Sequence, residues 1–179
     1  MGPTEIARTH GADSGLERDA GRPHAEHQAA SAWLRAALVF VLVVALDQLS
    51  KYVIRHSIVP GEERKLLPGI QLVNTRNRGV AFGFFPGNHI LVTLLVSLAL
   101  LALLAYFALH ATRPWMWLPT GMVVGGALGN ILDRVRAGSV TDFVKLPLGW
   151  PPFNLADASI TLGILLLFVL VDRQRHAEP

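Results

Sequence analysis

Between Ile90 and Leu109 the chain runs for twenty residues in which only Thr93 and Ser97 are polar. An α-helix needs about 20 such residues to cross about 30 Å of hydrocarbon. Inside lipid, only a helix or a closed barrel satisfies every backbone hydrogen bond. The run therefore sets the class: an α-helical integral membrane protein. Composition agrees, because 51% hydrophobic residues, 16% charged residues and a mean hydropathy of +0.41 are too apolar for an ordinary soluble domain. The chain contains no cysteine, which excludes disulfides, thiolate metal ligands and a cysteine nucleophile. A sequence pI near 9.8 rests on a net charge of only +3, with basic residues scattered among apolar segments. That pattern fits a membrane surface and not nucleic acid.

Four transmembrane helices are expected, at about 33–55, 90–109, 115–132 and 156–171. Residues 1–31 read as a disordered polar tail, 32–172 as the membrane domain and 173–179 as a C-terminal tail. Leu34 to Leu46 has the length of a signal-peptide core. No small-residue cleavage pattern follows it and the helical pattern continues to Ile54, so it reads as an uncleaved first span. His110 to Pro114 is too short for anything but a tight connection, and Trp115 and Trp117 mark the interface. Gly121, Gly125 and Gly129 form a small-residue stripe that admits a neighbouring helix. Between the first two spans, Pro60-Gly61, Pro68-Gly69 and Pro86-Gly87 bracket IQLVN and GVAFGFF, which predicts a small β-sheet at the membrane face.

Polar residues collect where these spans end. Asn130, Asp133 and Arg134 share a helix face at the end of the third span; Asp142 sits in the connecting segment 134–154; Asn154 and Asp157 open the fourth span. Asp47 and Lys51 lie four apart on the first helix, within reach of each other. Asn77 and Gly79 lie in the middle of the expected sheet, where glycine permits close backbone approach. Four spans place Asp47, Asn77, Asn130, Asp142, Asn154 and Asp157 on one side and both termini on the other. An N-cap role explains one of these residues alone, but ionisable groups at membrane level point to function.

The residue types narrow the chemistry. There is no HExxH or GxSxG, and none of the seven histidines lies in the cluster. A Ser/Lys pair, Ser50 with Lys51 or Ser139 with Lys145, suffers because adjacent helical side chains point about 100° apart. Two aspartates sharing one proton around a water can hydrolyse an amide without metal or covalent intermediate. Aspartate pairs also serve proton relays, so a small proton- or ion-coupled transporter subunit is the rival reading, and a packing scaffold a third.

Five blocks then bear on the choice: DQLSK at 47–51, NRGVAF at 77–82, GNILDR at 129–134, VTDF at 140–143 and FNLAD at 153–157. In order and spacing they resemble the motif blocks of lipoprotein signal peptidase, the type II signal peptidase of bacteria, across about residues 32–172. The resemblance implies a membrane aspartic endopeptidase that cuts prolipoproteins on the amino side of a lipid-modified cysteine. Asp142 and Asp157 match its catalytic aspartates. Asn77, Asn130, Arg134 and Asn154 match residues lining the substrate and inhibitor pocket, and Asp47, Lys51, Gly79 and Asp133 match supporting positions. It further implies no metal or cofactor, sensitivity to globomycin-type inhibitors, contact with membrane lipids, and a connecting helix beside the sheet. The expected setting is the bacterial cytoplasmic (inner) membrane, multi-pass, with both termini cytoplasmic and the active site near the outer face. A count of basic residues opposes that orientation, with seven on the cytoplasmic side and nine outside.

Overall fold

A computed structural model of the chain describes residues 22–78 and 89–177. Among these residues there are four helices and one three-stranded antiparallel sheet of order β1-β2-β3. In chain order the elements are α1 (Arg22–Ser57), β1 (Glu63–Leu67), β2 (Ile70–Asn77), α2 (His89–His110), α3 (Trp117–Ala137), β3 (Val140–Lys145) and α4 (Leu155–Ala177).

Helix α1 begins at Arg22, so residues 22–31 are helical and not part of a disordered tail. Their alanines are strong helix formers, and extending a helix already nucleated by the apolar run costs little. At 1.5 Å per residue, α1 is about 54 Å long, more than the about 30 Å thickness of a hydrocarbon layer. Glu26–Ser57 and Leu155–Arg173 are each long and apolar enough to cross a membrane. Within α2, the described apolar stretch Ser97–His110 is shorter.

Helix α3 is the packing centre, flanked by α1 and α4. Its glycine stripe faces α1: a Cβ on Gly121 would lie 2.6 Å from the Ala36 carbonyl oxygen, and one on Gly129 2.5 Å from Asp47 Oδ2. Gly126, off the stripe, faces α4, where a Cβ would lie 2.5 Å from the Ala156 oxygen. Gly121→Ala, remote from the polar cluster, is expected to destabilise the protein by about 1–3 kcal/mol through overpacking. Its unfolding midpoint in detergent checks this, and an unchanged midpoint would contradict the close approach. Ala32, Ala36, Phe107, Ala111 and Met116 form a buried apolar cluster that ties α1 and α2 to the start of α3.

The sheet departs from the sequence reading. Pro68 and Gly69, with Gly69 at φ 81, make the tight turn joining β1 to β2. The third strand comes from Val140–Lys145, which was expected to be connecting segment. Its β-branched residues Val140, Thr141 and Val144 suit a strand, but its partner is β2, more than sixty residues earlier, and such long-range pairing leaves no local mark. The expected strand GVAFGFF falls on residues outside those described, as does Gly79. Between Gly138 and Asn154 the chain forms β3 and turns, with no connecting helix. Gly138, at φ 64, caps α3 through its N–H to the Arg134 carbonyl at 2.9 Å and turns the chain back into β3. Phe143 packs with Ile54 of α1 and with Ile58 just past its end, and so docks the sheet on the helices.

Candidate active site

Two local devices deliver the paired aspartates. In the β2–β3 ladder Thr75 opposes Asp142 and Asn77 opposes Val140, which sets Asn77 and Asp142 diagonally on one sheet face. Asn77 Nδ2 donates to Asp142 Oδ2 at 3.0 Å. At the start of α4, the Asp157 N–H donates to Asn154 Oδ1 at 3.0 Å and the Asn154 N–H to Asp157 Oδ2 at 3.2 Å. This is a reciprocal capping box, with Asp in place of the usual Glu. The cap anticipated for this turn is therefore real, and it occupies only one oxygen of Asp157. The other, Oδ1, accepts from Asn130 Nδ2 of α3 at 2.8 Å.

A donor-only cation fixes the amides between the two carboxylates. Lys51 Nζ donates to Asn130 Oδ1 at 2.9 Å, so the amide nitrogen of Asn130 must face Asp157. Asn154 is locked likewise, because its Oδ1 accepts from the Asp157 N–H. Its Nδ2 therefore donates to Asp142 Oδ1 at 2.7 Å and to Asn130 Oδ1 at 3.2 Å. Asp142 and Asp157 are thus joined through Asn154, and both of Asp142's oxygens accept amide donors. Arg134 is half-buried at the end of α3, donates to the Asn130 carbonyl at 3.3 Å, and acts electrostatically on Asp157, Asp142 and Asp133.

Behind this layer lies a charged network. Lys51 and Asp47 are both 0% exposed and 2.8 Å apart, and Lys51 lies 3.4 Å from Asp133. Asp47 Oδ1 also accepts the Ala156 N–H at 3.0 Å, satisfying an orphan donor of α4, and Asp133 Oδ2 accepts the Thr141 N–H at 3.1 Å. Sequence reasoning missed Gln48, whose Nε2 donates to Asp47 at 3.2 Å and to the Gly129 carbonyl at 3.2 Å, although it sits next to Asp47 in DQLSK. It also missed Arg55, one turn beyond Lys51, which lies 3.7 Å from Asp133. Of the predicted site residues, Asp47, Lys51, Asn77, Asn130, Asp133, Asp142, Asn154 and Asp157 join one hydrogen-bonded and ionic network. The Ser/Lys alternative does not form: Ser50 donates to the Asp47 carbonyl at 2.8 Å, Ser139 to the Ala137 carbonyl at 3.4 Å, and Lys145 pairs with Glu63.

Burial pushes the Asp142 carboxyl up to about 6, and the negative charge of Asp157 adds to it. The Asn77 and Asn154 donors and the charge of Lys51 pull the other way. Two adjacent carboxyls so arranged can hold one proton between them near neutral pH.

A helical membrane enzyme with a small antiparallel sheet is the class this fold defines. Two solved structures, each described as a bacterial membrane enzyme structure by the in meso method, are similar to the chain. The one at 2.3 Å resolution superposes with a TM-score of 0.76 at 30% identity, covering 80% of this chain and 91% of its own. The one at 1.9 Å gives 0.70 at 31%, covering 76% and 91%. Residues 39–172 match the model of the Signal peptidase (SPase) II family, and the chain belongs to that family of aspartic peptidases. Similar relatives are the lipoprotein signal peptidases of Syntrophomonas wolfei, 43% identical over 140 residues (76% of this chain, 93% of the relative), and of Moorella thermoacetica, 41% over 132 residues (73% and 87%).

Proposed function

We propose that the chain cleaves the signal peptide from prolipoproteins on the amino side of a diacylglyceryl-modified cysteine, with Asp142 and Asp157 as the catalytic pair. Family membership supports the reaction, and the single observation that carries the assignment of residues is the pairing of Asp142 and Asp157 through Asn154. In the reaction, one ionised carboxylate takes a proton from water as its oxygen attacks the scissile carbonyl carbon. The protonated partner gives its proton to the carbonyl oxygen, and the tetrahedral intermediate collapses with proton transfer to the leaving amine. Asn77, Asn130, Arg134 and Asn154 line the substrate pocket and hold the carboxylates. Asp47, Lys51, Asp133 and Gly79 support them. The family gives no support to a transporter.

The proposed setting is a four-span protein of the bacterial inner membrane, with both termini cytoplasmic and the pair near the outer face. A diacylglyceryl group keeps the substrate cysteine at the lipid interface, so the enzyme reaches the bond without extracting it. Globomycin-type inhibitors are expected to block the pair. The test offers purified protein the same prolipoprotein with and without the diacylglyceryl group. Cleavage of the lipidated form alone is expected, and equal cleavage of both would refute the specificity.

The shared proton predicts a pH dependence. Asp142 is protonated below about 6, so kcat/KM falls above that value, approaching tenfold per pH unit. The sign for stability is the same. A carboxyl raised from 3.8 to about 6 contributes stability that is complete below 3.8 and lost as pH rises through about 6. Asn77→Ala removes a donor that favours the anion, and the alkaline limb is expected to move upward. A limb that stays in place or moves down would show that this hydrogen bond does not govern the pair.

A further inference from the structure

Nine basic residues lie on the side of the polar cluster in the four-span reading. Three of them converge. Arg55 from the last turn of α1, Arg76 from β2 and Arg136 from the last turn of α3 line one cavity of about 150 Å³ with Asp133 and Ala137. The lining carries three guanidinium charges against one carboxylate, and that carboxylate is already engaged. Asp133 accepts the Thr141 N–H at 3.1 Å and lies 3.4 Å from Lys51 and 3.7 Å from Arg55. Arg55 uses Nη1 on Thr141 at 3.3 Å, and Arg136 uses Nη1 on Gln48 at 3.2 Å. Arg76 makes no ion pair among the described residues. Each guanidinium has five N–H donors, so most of their donors remain to be matched. Arg76 and Arg136 are exposed, so their remaining donors are open to an incoming anion.

We infer that the Arg55, Arg76 and Arg136 cavity is a binding site for a phosphate-bearing anion, supplied in the membrane by the phosphodiester of a phospholipid headgroup. Arginine forks match phosphate oxygens bidentately, and basic pockets beside membrane helices suit anionic headgroups. At about 30 Å³ of liquid volume per water, the cavity exceeds a single water and admits a phosphate group. Two apolar helices end here, which sets the guanidinium groups at headgroup level; this placement rests on the four-span reading. The site also accounts for three of the basic residues that offend the simple charge count.

The full chain, purified in a maltoside detergent in phosphate-free buffer at constant chloride, is titrated with inorganic phosphate and separately with dihexanoyl-phosphatidylglycerol below its micelle concentration. The thermal midpoint is followed, with dihexanoylglycerol as the uncharged control. A saturable rise with the phospholipid is expected. Arg76→Gln with Arg136→Gln should raise the half-saturating concentration at least tenfold, whereas Arg64→Gln, outside the cavity and paired with Glu62 at 2.7 Å, should leave it in place. Should the double variant not fold, Arg76→Gln alone, at an exposed position, carries the same prediction. A response to inorganic phosphate as well would make the phosphate group itself the ligand; a response to the phospholipid alone would assign the site to a lipid headgroup. No saturable response to either in the wild type, or one retained in the variant, overturns the inference. Cleavage measured on the same samples separates this result from the peptidase reading, since either can fail without the other.

Discussion

Asp142→Asn is expected to lower the single-turnover cleavage rate by roughly 10⁴-fold or more, in the range seen when one member of a catalytic unit is removed, while the protein still folds. The substitution keeps the shape of the side chain and deletes the proton chemistry. Two local effects on stability oppose each other. Both Asp142 oxygens accept amide N–H groups, from Asn154 at 2.7 Å and Asn77 at 3.0 Å, so an amide at 142 turns an NH2 toward one of these donors. A lost buried hydrogen bond costs about 1–3 kcal/mol. Against this, a neutral side chain removes repulsion with Asp157 and the cost of burying a charge, the two causes that lift the Asp142 carboxyl to about 6. The variant should therefore keep a cooperative unfolding transition near that of the wild type. Activity within tenfold of wild type would remove Asp142 from the chemistry.

Lys51→Met should carry the largest stability cost. Lys51 is fully buried between Asp47 and Asp133, at 2.8 and 3.4 Å, and its removal leaves Asp47 buried without its ion-pair partner. Breaking a buried pair from one side costs about 3–5 kcal/mol, against a total stability of about 5–15 kcal/mol. The loss reaches the aspartates through Asn130, whose amide is free to turn once Oδ1 no longer meets the ammonium group. Adding Asp47→Asn to Lys51→Met should recover part of the stability, because the stranded charge is gone, and little of the activity, because Asn130 remains unlocked. A double-mutant cycle on unfolding midpoints and cleavage rates measures both. Equal recovery of the two would show that Lys51 acts on stability alone.

The legible parts of this molecule are those with a local period or a local partner. The apolar runs predicted helices that occur in the same order, and the four-residue spacing of Gly121, Gly125 and Gly129 foretold the face that meets α1. Asp47 with Lys51, and Asn154 with Asp157, were visible because partners three or four residues apart lie within one helical turn. What escaped depends on distance along the chain. Strand β3 is made by pairing with β2, and Gln48 bonds to Gly129 across eighty-one residues. The arginine cavity is assembled from three separate elements, none of which marks it alone. The start of α1 escaped for another reason: polarity was read as disorder, where alanine-rich composition extends a helix.

The most direct test of the central claim is a product analysis. A diacylglyceryl-modified prolipoprotein is incubated with wild-type protein and with Asp157→Asn, each checked for folding, and the products are identified by mass. The account predicts a single wild-type product whose new N-terminus is the modified cysteine, and no product above background from Asp157→Asn. A wild-type cut elsewhere in the chain, or the same cut from folded Asp157→Asn, would contradict it.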